Sequence, residues 1–177
     1  NFVISKEKSF FYDHSSLNKI INDNKFIESY SLAKLKSFNP NIFNCCDKHR
    51  MYIEIIQNTN KDIKEGAVFN ETGIIGQVVN NKSFYEVMLL TDTKSSIPLT
   101  NSKGDFYCNA SGSGVSGYIT CSYSQLVWLD NHEIGEKFFS SGLGGIYPKG
   151  IEIGNVKLNL DKLMKNKDKA VTVLTKG

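Results

Sequence analysis

Short runs that alternate apolar and polar residues recur from residue 30 to the C-terminus, and this period of two limits the chain to strands. Ala33, Leu35 and Ser37 alternate with Lys34 and Lys36; Met51, Ile53 and Ile55 with Tyr52, Glu54 and Ile56; Val171 and Val173 with Thr172 and Leu174. Further strands are predicted over residues 67–69, 74–79, 86–91, 105–109, 118–123, 126–129, 137–140 and 151–157. Each run is short and bounded by Gly, Asn, Asp or Ser, and the glycines crowd between Gly104 and Gly154. Many tight turns between short strands predict a mainly all-β chain, built as small antiparallel barrels or a sandwich.

The first thirty residues follow a different period. Asp13-His14-Ser15-Ser16 offers N-cap side chains, Leu17, Ile20 and Ile21 form a helical apolar stripe, and Asn22-Asp23-Asn24 competes for the backbone and stops it. A second helical turn is predicted over residues 160–166. An internal repeat accompanies the strands: Gly66, Phe69, Gly73 and Gly76 recur as Gly135, Phe138, Gly142 and Gly145, with Thr72 falling on Ser141 and Ile74 on Leu143. One turn-strand-turn unit used twice predicts two similar β domains.

A chain of 177 residues with 40% hydrophobic and 22% charged side chains has enough apolar material for a packed core. Its net charge of +3 is carried almost wholly by lysine, since Arg50 is the sole arginine. Nucleic-acid recognition favours the planar guanidinium fork on a basic stripe, so that function class is disfavoured. No apolar run reaches the roughly 18 residues that a membrane-spanning helix needs. The sequence opens at Asn1, without a basic-then-apolar leader, and is expected to be a piece of a longer protein.

Gly112-Ser113-Gly114-Val115-Ser116-Gly117 matches the dinucleotide fingerprint by letter, but a strand pattern from Tyr118 to Tyr123 follows where a phosphate-binding helix is required. A glycine hairpin is expected, and no cofactor. Cys108 and Cys121 flank that hairpin and stand either as a cross-strand pair or as two half-buried thiols. Cys45-Cys46-Asp47-Lys48-His49 has metal-ligand residue types without a completing set, so a turn is predicted and no metal site. His14, His49 and His132 are the available imidazoles, and no Gly-x-Ser-x-Gly elbow accompanies them, so no catalytic residue is assigned. A hydrolase with a triad hidden in the sequence and a generic β-barrel binding module remain as alternatives.

Aromatic residues gather in the second half, at Tyr123, Trp128, Phe138, Phe139 and Tyr147. Adjacent Phe138 and Phe139 cannot both point into one barrel, so one fills a seam between domains or lies on a partner-binding patch. Tyr123, Phe138, Phe139 and Tyr147 are the predicted partner-facing set, because binding hot spots favour aromatic anchors.

One segment is specific enough to carry a resemblance. Ser140 to Val156, with Gly142, Gly145, Pro148, Lys149, Gly150 and Gly154, resembles the C-terminal signature of the MreC family of bacterial rod-shape-determining proteins. Weaker blocks agree in order: residues 62–79 with Gly66, Gly73 and Gly76, then Leu89-Leu90-Thr91-Asp92, then the 112–117 hairpin. Tyr147 stands where the family usually has phenylalanine, and residues 39–50 match no family block.

The resemblance implies two small antiparallel β-barrels behind a membrane helix and coiled-coil stalk, somewhat like trypsin-fold barrels but without catalytic apparatus. On that basis residues 1–29 end the stalk, residues 30–86 form the first barrel, completed by the C-terminal strand within 151–177, and residues 87–150 form the second. The implied role is a non-catalytic scaffold of the elongasome, the rod complex of peptidoglycan synthesis that sets cell shape. It would lie in the periplasm, anchored to the cytoplasmic membrane through the absent N-terminal segment. The implied partners are the elongation-specific penicillin-binding transpeptidase, with MreD, RodZ and MreB in the assembled complex, and a second copy of the chain as dimer or filament.

Overall fold

The computed structural model of the chain describes residue 22 and residues 31–39, 48–58, 65–70, 72–81, 84–124, 133–160 and 168–175. Eleven strands lie among the described residues: β1 (Ser31–Phe38), β2 (Arg50–Asn58), β3 (Gly66–Asn70), β4 (Gly73–Asn81), β5 (Tyr85–Leu89), β6 (Ser96–Asn101), β7 (Tyr107–Gly112), β8 (Tyr118–Ser124), β9 (Lys137–Ser140), β10 (Glu152–Leu160) and β11 (Asp168–Thr175). They form a five-stranded antiparallel sheet in the order β1-β2-β5-β4-β3 and a closed barrel in the order β10-β11-β8-β7-β6-β9. The all-β expectation holds. The N-terminal helix, apart from helical Asn22, and the strand predicted over residues 126–129 lie outside the described residues.

Alternation works as predicted where a face is buried. Met51 and Ile53 on β2 point into the first sheet's core with Ile75, Val78 and Val87, while Tyr52 and Ile56 of the same strand are exposed. The larger core fills the barrel with Ile97, Leu99, Ala110, Ile119, Cys121, Phe138, Ile153 and Val156. Ile74 of β4 and Leu90 belong to this second core, and Ala67 and Phe69 of β3 pack on it. The first sheet is thus fastened to the barrel along its β3–β4 side, which buries apolar area at the junction.

Several expectations change. The C-terminal strand was expected to complete the first barrel; instead β10 and β11 close the second, through β9 on one side and β8 on the other. β5 belongs to the first sheet, so the chain crosses between the two in the 90–95 turn rather than at residue 86. Leu160 is the last residue of β10, and residues 161–166 of the predicted helical turn lie outside the described residues.

β6 was not predicted, because Pro98 lies in its middle and argues against a strand. The carbonyl of Pro98 accepts from Ser141 N at 2.9 Å, so its imino nitrogen faces that same side, one step past the last β9 pair, Leu99 with Ser140. Proline cannot return the reciprocal N–H bond of this pair, and the loss is confined to the end of the β6–β9 ladder. The repeat holds only for its first half. Gly66–Asn70 and Lys137–Ser140 are both strands, but Gly73 starts β4 after a tight turn held by the Asn70 carboxamide, whereas Gly142 starts an irregular loop to residue 151.

Candidate functional site

Two features of the junction and barrel could carry function. The first is a buried polar knot at the crossing turn. Asp92, fully buried, accepts at Oδ2 from the His49 backbone N–H (3.0 Å) and Arg50 Nε (2.7 Å), and at Oδ1 from Lys94 N–H (2.9 Å). Arg50 reaches Glu86 Oε1 at 3.6 Å with its Nη1. The Thr91 carbonyl accepts from Gly114 N–H at 3.0 Å, and a Cβ placed on Gly112 would lie 2.0 Å from the Asp92 carbonyl oxygen.

The glycine-rich hairpin therefore has a structural purpose. Gly112 allows close approach to the crossing turn, and Gly114 and Gly117 take positive φ (71° and 81°) in the β7–β8 connection. The hairpin expectation holds.

The His49 ring is buried, with Nδ1 2.7 Å from Thr91 Oγ1. Asp92 meets the backbone of His49 and not its ring, so the acid–imidazole–serine relay of a hydrolase does not form at His49. Thr91 and Asp92 lie in a family block, but their partners were not legible: residues 39–50 match no family block, and His49 and Arg50 become neighbours of Asp92 only when β2 pairs with β5.

The second feature is an open groove on the barrel of about 470 Å³, lined by Pro98, Tyr107, Cys108, Leu143, Ile146 and Tyr147 among others. Tyr107 is 41% exposed and Leu143 58% exposed, so the rim is apolar and accessible. Cys108 and Cys121 form a disulfide with Cα atoms 6.0 Å apart, which decides between the two readings of that pair. Ser140 holds the far wall in place: its Oγ donates to the Pro148 carbonyl and accepts from Ile151 N–H at 3.0 Å.

The predicted partner-facing aromatics divide. Phe138 is fully buried, edge to face with Phe106 (centroids 5.8 Å, interplanar 86°), and so is a core residue. Tyr147 is 3% exposed and belongs to the barrel core, although it contributes to the lining of the groove. The causes differ: barrel closure turns Phe138 of β9 inward, whereas Tyr147 is packed onto the same core by the irregular loop over 141–151. Phe139, on the opposite face of β9, is half-buried, and the side chain of Tyr123 lies outside the described residues. Tyr107, Leu143 and Ile146 carry no sequence mark of a groove rim, since the loop that holds the last two shows no periodicity.

Comparison with known proteins places this architecture. The pattern described as "Rod shape-determining protein MreC, barrel core" matches residues 42–175. The chain belongs to the MreC family. The cell shape-determining protein MreC of Haemophilus influenzae is 32% identical over 110 residues, 59% of this chain and 30% of that protein. The chain thus spans under a third of the length of that curated relative. The crystal structure of MreC from Pseudomonas aeruginosa superposes with a TM-score of 0.66 at 25% identity, covering 81% of this chain and 88% of that one. A complex between the penicillin-binding protein PBP2 and MreC from Helicobacter pylori contains the same fold (TM-score 0.56, 17% identity, 80% and 87% coverage). MreC proteins are structural determinants of cell shape and not enzymes.

Within the MreC signature, Tyr147 is the departure with a measurable consequence. Its hydroxyl is buried without a hydrogen-bond partner among the described residues, and burial pushes the phenol above its ordinary pKa of 10.0. Above about pH 10 the unfolded chain releases this proton and the folded chain retains it, so stability falls as pH rises further. Tyr147→Phe removes the unpaired hydroxyl. It is expected to raise stability at pH 7 by about 1 kcal/mol and to flatten the alkaline loss, as read by urea unfolding at pH 7 and pH 10.5; lower stability at pH 7 would show that the hydroxyl has a partner.

Proposed function

We propose that this chain is a non-catalytic scaffold of cell-wall elongation, which binds the elongation-specific penicillin-binding transpeptidase in the periplasm and holds it in a productive state. The single observation that carries the reading is the apolar barrel groove rimmed by exposed Tyr107 and Leu143, on a chain of the MreC family. The Helicobacter pylori complex supports the choice of partner. In this reading the transpeptidase lays an apolar segment in the groove. If the groove fits one conformation of the enzyme better than another, that population shifts by the affinity difference and no more. Chemistry stays with the partner. Attachment to the membrane through a preceding segment, assembly with MreD, RodZ and MreB, and pairing with a second copy belong to the same proposal.

The test is calorimetric titration of the chain with the periplasmic part of the elongation transpeptidase, with a division-specific transpeptidase as control. Selective binding is expected, and Leu143→Asp is expected to weaken it at least about tenfold with an unchanged Tm, as for an exposed residue at an interface centre. Equal affinity for both transpeptidases, or full affinity of Leu143→Asp, would refute the groove assignment.

A further inference from the structure

We infer that the Cys108–Cys121 disulfide is a thiol-exchange site whose oxidation state sets the shape of the barrel groove. A dithiol reductant or a dithiol–disulfide oxidoreductase is the chemical class that would act on it. The backbone ladder between β7 and β8 runs from Gly112 paired with Ile119 to Asn109 paired with Ser122, and there it ends. Tyr107 and Cys108 lie beyond its last pair. Towards β6 they are held by pairs with Thr100 and Leu99; towards β8 the tie is the disulfide.

The two sulfurs differ in access. Cys121 is fully buried in the barrel core beside Ile119 and Ala110, whereas Cys108 is half-buried and lines the groove next to Tyr107. An attacking thiolate entering by the groove therefore meets Cys108. It forms a mixed disulfide with the Cys108 sulfur while the old S–S bond breaks, and Cys121 leaves with the electron pair and takes a proton from the reductant's second thiol. That second sulfur, now a thiolate, then displaces Cys108, which leaves as a thiolate and is protonated by water. The net change is two thiols in the protein, one disulfide in the reductant, and two electrons and two protons transferred. With the bridge open, the segment carrying Tyr107 loses its tie to β8, and the groove wall is free to move.

Consequences for binding rest on the docking reading above; the opening of the wall does not. The oxidised chain and the chain treated with dithiothreitol under native conditions are compared by alkylation mass spectrometry, amide hydrogen exchange and transpeptidase titration. Expected on reduction are two alkylated thiols, exchange at 107–109 at least about tenfold faster with β4 and β5 unchanged, and weaker transpeptidase binding, all restored by reoxidation. The Cys108→Ser/Cys121→Ala variant should reproduce the reduced state without reductant; if it does not fold, the reversible reduction of the wild type decides. Resistance of the bridge to native reduction, or unchanged exchange at 107–109 after verified reduction, overturns the inference. If the oxidised chain does not bind the transpeptidase, the docking reading fails while the exchange data still decide on the switch.

Discussion

Asp92→Ala is expected to destabilise the protein by about 3–5 kcal/mol, the range for removing one partner of a buried charge pair. The reason is not the strength of one bond. Without the carboxylate, the mostly buried Arg50 guanidinium keeps, among the described residues, only Glu86 at 3.6 Å, and the amides of His49 and Lys94 lose their acceptor. Asp92→Asn, which keeps two acceptor lone pairs and loses the charge, should lie between wild type and alanine. Urea unfolding followed by tyrosine fluorescence and by circular dichroism measures the loss. A loss below about 1 kcal/mol, ordinary for an exposed ion pair, would show that the knot is decorative. The knot joins β2 to the turn that leads into β6, so its rupture should also loosen the 112–117 hairpin that rests on Thr91.

Phe138→Ala is the second large effect, expected at about 3–5 kcal/mol because it leaves a cavity in a core with little room to collapse. Phe138 fills the barrel centre against Phe106, and β9 is paired on both sides, with β6 and β10. Phe139→Ala, one residue on and half-buried, should cost about 1 kcal/mol, the common value for a point substitution. Denaturant midpoints of the two variants give the comparison directly. Full stability of Phe138→Ala together with lost transpeptidase binding would restore Phe138 to the partner-facing set and overturn the core assignment.

Much of the candidate site was hidden from sequence reasoning for the same reason that made Phe138 ambiguous. Adjacent phenylalanines announce that one faces in and one faces out, but not which; β9 is placed only by its register with Asn101 and Gly154. Arg50 was visible as the sole arginine, yet its partner lies 42 residues away and is reached by strand pairing rather than by spacing. The groove was invisible because its rim residues come from β7 and from an irregular loop that share no period. By contrast, the 112–117 hairpin was legible because glycines followed by a strand pattern leave no helix for a phosphate to meet.

The sequence by itself determined what is local: that short strands lie at 33–37, 51–56, 67–69, 74–79, 118–123 and 137–140, that two faces of each differ, that glycine turns join them, and through its signature which family the chain belongs to. Only the tertiary structure decided that β10 and β11 close the second barrel and leave the first sheet open, that Pro98 sits inside a strand, and that Asp92 locks the two together. Alternation is a property of one strand and sets its faces; partner, register and closure are properties of strand pairs far apart in sequence, settled by which arrangement buries the most apolar surface with the ladder bonds made.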